Sequence, residues 1–308
     1  MAGELASTRA VSRTFAPVRT PLLIPTWVII GFFLVAPVLM MLVYSFLTKE
    51  FRGGVIWDFS LAAYDQFIFD RGLFGDDPPQ IEWTYIVIFV RSIIQAAVAT
   101  VLCLIIGFPT AYFIATRSPA TRSMWLFLVT VPYWVNLLIR TVSMKFLIRD
   151  NGPLNEALMG LGVISEPITL INTDFAVQLG LFYSYLPFMV LPIYASVERY
   201  DFALSEAAAD LYANRWTILR RVILPIVRPG IVAGCILVFV PSLGAFLAPD
   251  LLGGAKNFLI GSLIEEQFKG NAGNWPFGAA ASMILLSLVL IALFIYARRQ
   301  ALRSARAA

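Results

Sequence analysis

"SEAAADLYANRWTILRRVILPIVRPG", Ser205 to Gly230, is the longest polar and charged interval between apolar blocks in the middle of this chain. Glu206, Ala207 and Ala208 begin a run of good helix formers, with Ser205 a suitable N-cap and Glu206 near the positive end of the helix. Helical spacing returns from Arg215 to Ile223, where Trp216, Leu219, Val222 and Ile223 fall on one side and Arg215, Arg220 and Arg221 elsewhere. Pro225 and Pro229 are expected to stop this second helix just before the next apolar block. A short amphipathic helix held at a membrane edge is built to sit in another protein's groove.

The composition on either side supplies the membrane. Hydrophobic residues make up 59% of the 308 and charged residues 14%, against about 45–50% and about 25% in soluble domains. Mean hydropathy is +0.79. A helix needs about 20 apolar residues to cross a ~30 Å hydrocarbon layer. Six stretches qualify, near 27–47, 84–115, 124–148, 175–197, 230–248 and 276–297. The expectation is an all-α polytopic membrane protein with one domain over 1–308: an N-terminal segment 1–26, a six-helix core 27–297 containing the loop 198–229, and a tail 298–308. The first stretch is too long for a signal-peptide core and lacks a small-residue cleavage site, so it is read as a retained transmembrane helix.

Charge orients the spans. With both ends inside, fourteen of the 23 Lys and Arg residues lie in inner segments, six lie outside, and Arg91, Arg140 and Lys145 fall within spans. This obeys the positive-inside rule, so both termini are expected in the cytoplasm of a bacterial inner membrane. Acids run the other way, fourteen of 19 on the outer side. That outer charge would concentrate cations or a basic partner, or it leaves positives dominant inside; both readings stand.

The spacing from Glu206-Ala207-Ala208 to Val222, Leu224 and Pro225 resembles the EAA loop of ABC importer permeases. "VPYWVNLLIRT" (131–141), "GPLNEALMGLGVI" (152–164), "YLPFMVLPIYAS" (185–196), "PDLLGGAKNFLIGSLI" (249–264) and "NWPFGAA" (274–280) are similar to the permeases of spermidine/putrescine importers, nearly continuously over 27–297. The resemblance implies the type I ABC importer permease fold. It also implies a second permease subunit, two ATP-binding cassette subunits and a periplasmic substrate-binding protein as partners, with no nucleic acid. The loop would dock on the ATPase, Glu206 making a charge or capping contact and Ala207 and Ala208 allowing close approach. One position departs: Tyr212 stands where the family has a turn glycine. A bulky residue is poor at positive φ, so either the turn is made differently, for instance with Asn214 left-handed, or the docking surface is adapted to its partner.

No G-x-x-x-x-G-K-[ST] occurs, so this chain does not cradle ATP phosphates by that route. Transport energy must then come from another subunit or from an ion gradient; the resemblance implies ATP and Mg on a partner ATPase, with no cofactor bound by this chain. Zero histidines, and two cysteines (Cys103 and Cys235) inside apolar spans, provide neither a metal set nor a nucleophile–base pair, and no enzyme activity is expected. No Asp or Glu falls inside a span, against the midplane carboxylates of an ion-coupled secondary transporter, which remains the second alternative.

Prolines interrupt the spans, and "VPSLGAF" (240–246) puts Pro241, Ser242, Leu243 and Gly244 near the expected centre of span five as candidate path-lining backbone. Tyr133, Trp134, Asn136, Tyr183 and Tyr185 are candidates for the substrate path, the aromatic rings because cation–π attraction suits a polyamine. Arg140 and Lys145 in span three, with Arg91, either snorkel to the outer interface or pair with acids in a wet vestibule. The missing acids are sought at Glu166, Asp174 and Asp250 on the outer side, or in the partner permease. Another small amino compound, an opine or an organic anion is the alternative substrate.

Overall fold

The computed structural model describes residues 20–50, 54–70, 80–254, 257–269 and 273–307. Residues 1–19 of the expected N-terminal segment 1–26, and the charges Arg52, Arg71, Asp76, Asp77 and Lys256, lie outside the described residues. Helix α1 spans Thr20–Tyr44, α2 Trp83–Ala115, α3 Pro119–Trp134, α4 Leu137–Ile148, α5 Pro153–Gly160 and α6 Asp174–Glu198. Helix α7 covers Ala203–Asp210, α8 Arg215–Leu243, α9 Ile260–Phe268 and α10 Trp275–Ala307. Among the described residues, five helices are long and apolar enough to cross a membrane. Helix α3 and the segment Leu137–Gly160, which begins with α4, form a bent pair at 91° that makes a sixth, broken span.

The break has a local cause. Pro132 sits in the last turn of α3, and Asn136 then caps α4 by accepting a hydrogen bond from the Leu138 amide at 2.8 Å. An Asn at an N-cap starts a new helix rather than extending the old one.

The core is the packing of α2, α6 and α8. Cys103, Ala111, Ile114 and Ala115 of α2 meet Met189, Val190, Ile193 and Val197 of α6 and Val227 and Val238 of α8, all buried. In lipid the driving force is close backbone approach, which small residues permit. Ala99, Cys103, Gly107, Ala111 and Ala115 supply it as a stripe at i, i+4 spacing on α2. A Cβ on Gly107 would stand 2.9 Å from Met189, one on Gly234 2.8 Å from Met189 Sδ, and one on Gly230 2.5 Å from the Pro192 carbonyl oxygen. Helix α1 packs along α10, and most of its large apolar side chains are exposed.

At the end opposite the 199–214 loop, an antiparallel hairpin pairs β1 (Leu47–Lys49) with β2 (Val55–Phe59), turning through Gly54 at φ +100°. Phe67 stacks on Phe277 at 5.0 Å, and with Ile260 and Leu263 it seats α9 against α10.

Two expectations are corrected. The second helix does not stop at Pro225 and Pro229: α8 runs unbroken from Arg215 to Leu243. Leu219–Ile223 forms a π turn directly ahead of Pro225, whose missing N–H and bulky ring a regular ladder would not take, so the wider turn lets the chain pass as a helix. Consequently Pro241, Ser242, Leu243 and Gly244 lie at the far end of span five and not at its centre.

Candidate functional site

The loop that links α6 to α8 contains α7, but Ser205 is not its cap. Asp201 accepts from the Ala203 amide at 3.0 Å, and Ser205 sits one turn in, its hydroxyl 2.6 Å from that of Tyr200. Glu206 falls in the first helical turn and is exposed with Ala207; Ala208 is half-buried.

The end of α7 closes on Tyr212. The Ala213 amide donates to Ala208 O at 3.1 Å and the Tyr212 amide to Ala209 O at 2.9 Å, the paired bonds that usually surround a left-handed glycine. Tyr212 itself holds φ +60°. Asn214 is extended at φ −72° and caps α8 instead, accepting from the Thr217 amide at 2.8 Å. A strained tyrosine that is 99% exposed, beside an exposed Leu211 and Trp216, makes an apolar tip. Val222 and Leu224 are half-buried, Val222 packing against the core, while Pro225 is exposed.

Below the loop, Arg122 at the start of α3 ties two helix ends together. Its Nη1 donates to Glu198 at 2.9 Å and its Nη2 to Ala115 O at 3.0 Å, while the Tyr194 hydroxyl donates to Glu198 at 2.7 Å. Charge counting uses Arg122 and Glu198 only to orient the chain; nothing in their local sequence marks them as partners.

The candidate path residues converge only in part. Arg140 is 5% exposed, so it does not snorkel. Its Nη2 donates to the carbonyls of Val135 at 2.9 Å and Tyr133 at 3.4 Å, and its guanidinium lies 5.6 Å from the Tyr133 ring and 5.7 Å from that of Tyr183. The Tyr133 ring meets Phe188 edge-on at 5.1 Å, and Phe188 meets Tyr185 at 6.4 Å. Tyr185 donates to Pro241 O at 3.3 Å and lines, with Thr141, Ser184 and Gly244, a cavity of about 110 Å³. Ser242 and Leu243 turn away from it: both are buried, and the Ser242 hydroxyl donates to Val238 O at 2.7 Å. Trp134, the last residue of α3, is 82% exposed. Lys145 is exposed on α4.

Asp174, first residue of α6, accepts from Arg91 at 2.6 Å and from Gln95 at 2.7 Å. Arg91 also donates to Asn257, and Asn257 donates to Gly253 O at 2.8 Å and Asn172 O at 3.2 Å. Gln178 closes the network on the Gln95 carbonyl at 2.9 Å. This pins the segment after span five to α2 and α6. Asp250, exposed, lies in the turn Pro249–Gly253. It helps hold the Lys269 ammonium pKa up, behind the larger effect of Glu265, whose carboxylate is 2.5 Å away. Glu166 is exposed in the loop after α5. None of the three acids touches the tyrosine cluster among the described residues.

A broken span and a helix continuous from an exposed apolar tip to a cavity at its far end are the features of a membrane-embedded transport subunit. Residues 104–304 match the family described as binding-protein-dependent transport system inner membrane component, and the chain belongs to that family. It is 40% identical over 279 residues to the spermidine/putrescine transport system permease protein PotB of Haemophilus influenzae, covering 91% of this chain and 92% of that protein. It is 42% identical over 272 residues to PotB of Escherichia coli K12, covering 88% and 93%. The inner membrane ABC transporter permease protein YdcU of the same bacterium is 32% identical over 220 residues, with 68% and 69% covered.

Among solved structures, a chain of a bacterial ABC transporter that imports the acidic polysaccharide alginate aligns with TM-score 0.60 at 20% identity, covering 90% of this chain and 94% of that one. A chain of the MetNI methionine ABC transporter aligns with TM-score 0.53 at 18% identity, covering 70% and 94%. The fold is that of type I ABC importer permeases.

Proposed function

We propose that this chain is one permease subunit of an ATP-driven importer that moves spermidine and putrescine inward across the bacterial inner membrane. The observation that carries the substrate is the 40–42% identity to spermidine/putrescine permeases over about nine-tenths of both chains. A second permease, two ATP-binding cassette subunits and a periplasmic binding protein complete the assembly. ATP and Mg are held by the cassette subunits. Both termini lie in the cytoplasm, the placement that the distribution of Lys and Arg favours.

In this reading Glu206, Ala207, Ala208 and Tyr212 dock on an ATPase, and closure of the ATPase moves α7. Because α8 is continuous, that motion reaches Gly244 and the cavity without an intervening joint. The residues Val222, Leu224 and Pro225 set the π turn through which α8 leaves the loop.

The test uses the assembled complex in liposomes with its cognate binding protein. ATP hydrolysis is titrated with spermidine, putrescine and an anionic control, for wild type and Glu206→Arg. Polyamine-stimulated hydrolysis that collapses in the variant, with assembly intact, is the expected result. Stimulation by the anion alone overturns the substrate, and full stimulation in Glu206→Arg overturns the coupling role.

A further inference from the structure

We infer that the break in the third span is a cation-binding subsite, held in this conformation by Arg140 and taken by a substrate ammonium during transport. The inference rests on the polyamine reading above and adds where the amine goes.

The break frees backbone carbonyls at the end of α3, and a helix C-terminus favours positive charge. Two of those carbonyls, of Tyr133 and Val135, and two tyrosine faces, of Tyr133 and Tyr183, surround the Arg140 guanidinium. No acid of the described residues pairs with it. The ligand set is thus oxygen dipoles and π faces, which receive a guanidinium and an alkylammonium by the same attraction.

The resident fits imperfectly. Arg140 is 5% exposed, yet its Nε has no hydrogen-bond partner. A buried donor left unpaired costs free energy, so the cage is not shaped to Arg140 alone. An entering ammonium is one cation replacing another, and the exchange keeps the charge of the cage constant.

A place for the rest of a diamine lies alongside. Phe188 links the Tyr133 ring to Tyr185, and Tyr185, Ser184 and Thr141, the residue next to Arg140, line the 110 Å³ cavity. The Thr141 hydroxyl donates to Leu137 O at 2.8 Å, leaving its oxygen as an acceptor. When Arg140 leaves the carbonyls of Tyr133 and Val135, the clamp across the 91° bend opens, so substrate arrival becomes movement of α3 against α4.

The complete importer, reconstituted in liposomes with its binding protein, is assayed for substrate-free ATP hydrolysis and for the KM of spermidine uptake in wild type, Arg140→Gln and Tyr183→Leu. Arg140→Gln empties the cage: substrate-free hydrolysis rises and KM falls by roughly tenfold, the size of a desolvated cation–π contact. Tyr183→Leu removes one wall, and KM rises by about the same factor. Unchanged KM in both variants, with any loss of rate following the amount of assembled complex, overturns the assignment and leaves Arg140 a structural cap. Should Arg140→Gln not assemble, Tyr183→Leu alone decides by its KM. A wild-type complex that ignores polyamines sinks the substrate reading first, and this inference with it.

Discussion

Arg122 and Glu198, 76 residues apart in the chain, meet at 2.9 Å where α3 begins and α6 ends. The same arginine closes the last turn of α2 through Ala115 O, so three helix ends share one side chain just before the loop that carries Glu206. Both partners are partly exposed, and such a pair contributes no more than about 1 kcal/mol. Glu198→Gln should therefore lower the thermal midpoint of the purified complex only slightly while reducing ATP-coupled uptake. A large drop in the midpoint would mean that the pair holds the fold and not the transmission.

Tyr212 holds a conformation that costs a bulky residue about 1–2 kcal/mol relative to glycine. Tyr212→Gly should raise thermal stability and, by removing a fully exposed ring from the docking tip, weaken the coupling of hydrolysis to transport. Better stability with undiminished coupling would show that the ring makes no contact with the ATPase.

Gly230 faces Ser196 and the Pro192 carbonyl, where even one methyl has no room. Gly230→Ala should separate α8 from α6 and cost about 1–3 kcal/mol as overpacking. The measurement is the yield and melting of the complex. Gly31, whose Cβ would meet nothing within 4 Å in this chain, is the matched control for loss of a glycine as such.

Asn257 is buried and donates to Gly253 O and Asn172 O while accepting from Arg91. Asn257→Ala removes the donor to the Gly253 and Asn172 carbonyls, at about 1–3 kcal/mol, while Arg91 keeps Asp174. Hydrogen exchange should quicken across 249–259 and stay unaltered in 203–210. Equal quickening at both ends would show that the network supports the whole bundle.

The long spans were legible from hydropathy alone, and α2 and α6 begin and end within a residue of the apolar limits. Helix α8 was not, because Pro225 and Pro229 read as stops and no local signal announces the π turn that lets the chain pass them. The spacing marked Tyr212 at a turn position, but that the tyrosine itself takes the left-handed conformation, and not Asn214, shows only in its φ and in the paired bonds from Ala213 and Tyr212. Tyr133, Arg140, Tyr183 and Tyr185 were named from residue type in a membrane span. Their convergence, and the turning away of Ser242, depend on the rotational phase of three helices, which a pattern of apolar residues leaves open. The Arg91–Asp174–Asn257 network joins residues 83 and 166 positions apart, a distance at which sequence gives no pairing signal.

Helix α8 is 29 residues long, about 43 Å at helical rise. Its tightest contact with α6, at Gly230, falls near its middle, about 22 Å from Arg215 and about 20 Å from Leu243, with Gly234 one turn further on. Geometrically this is a lever with nearly equal arms and a fulcrum made of glycine. A rigid rod pivoted there moves its two ends by comparable amounts in opposite senses, so a displacement imposed at Arg215 would reach Leu243 reversed and nearly undiminished.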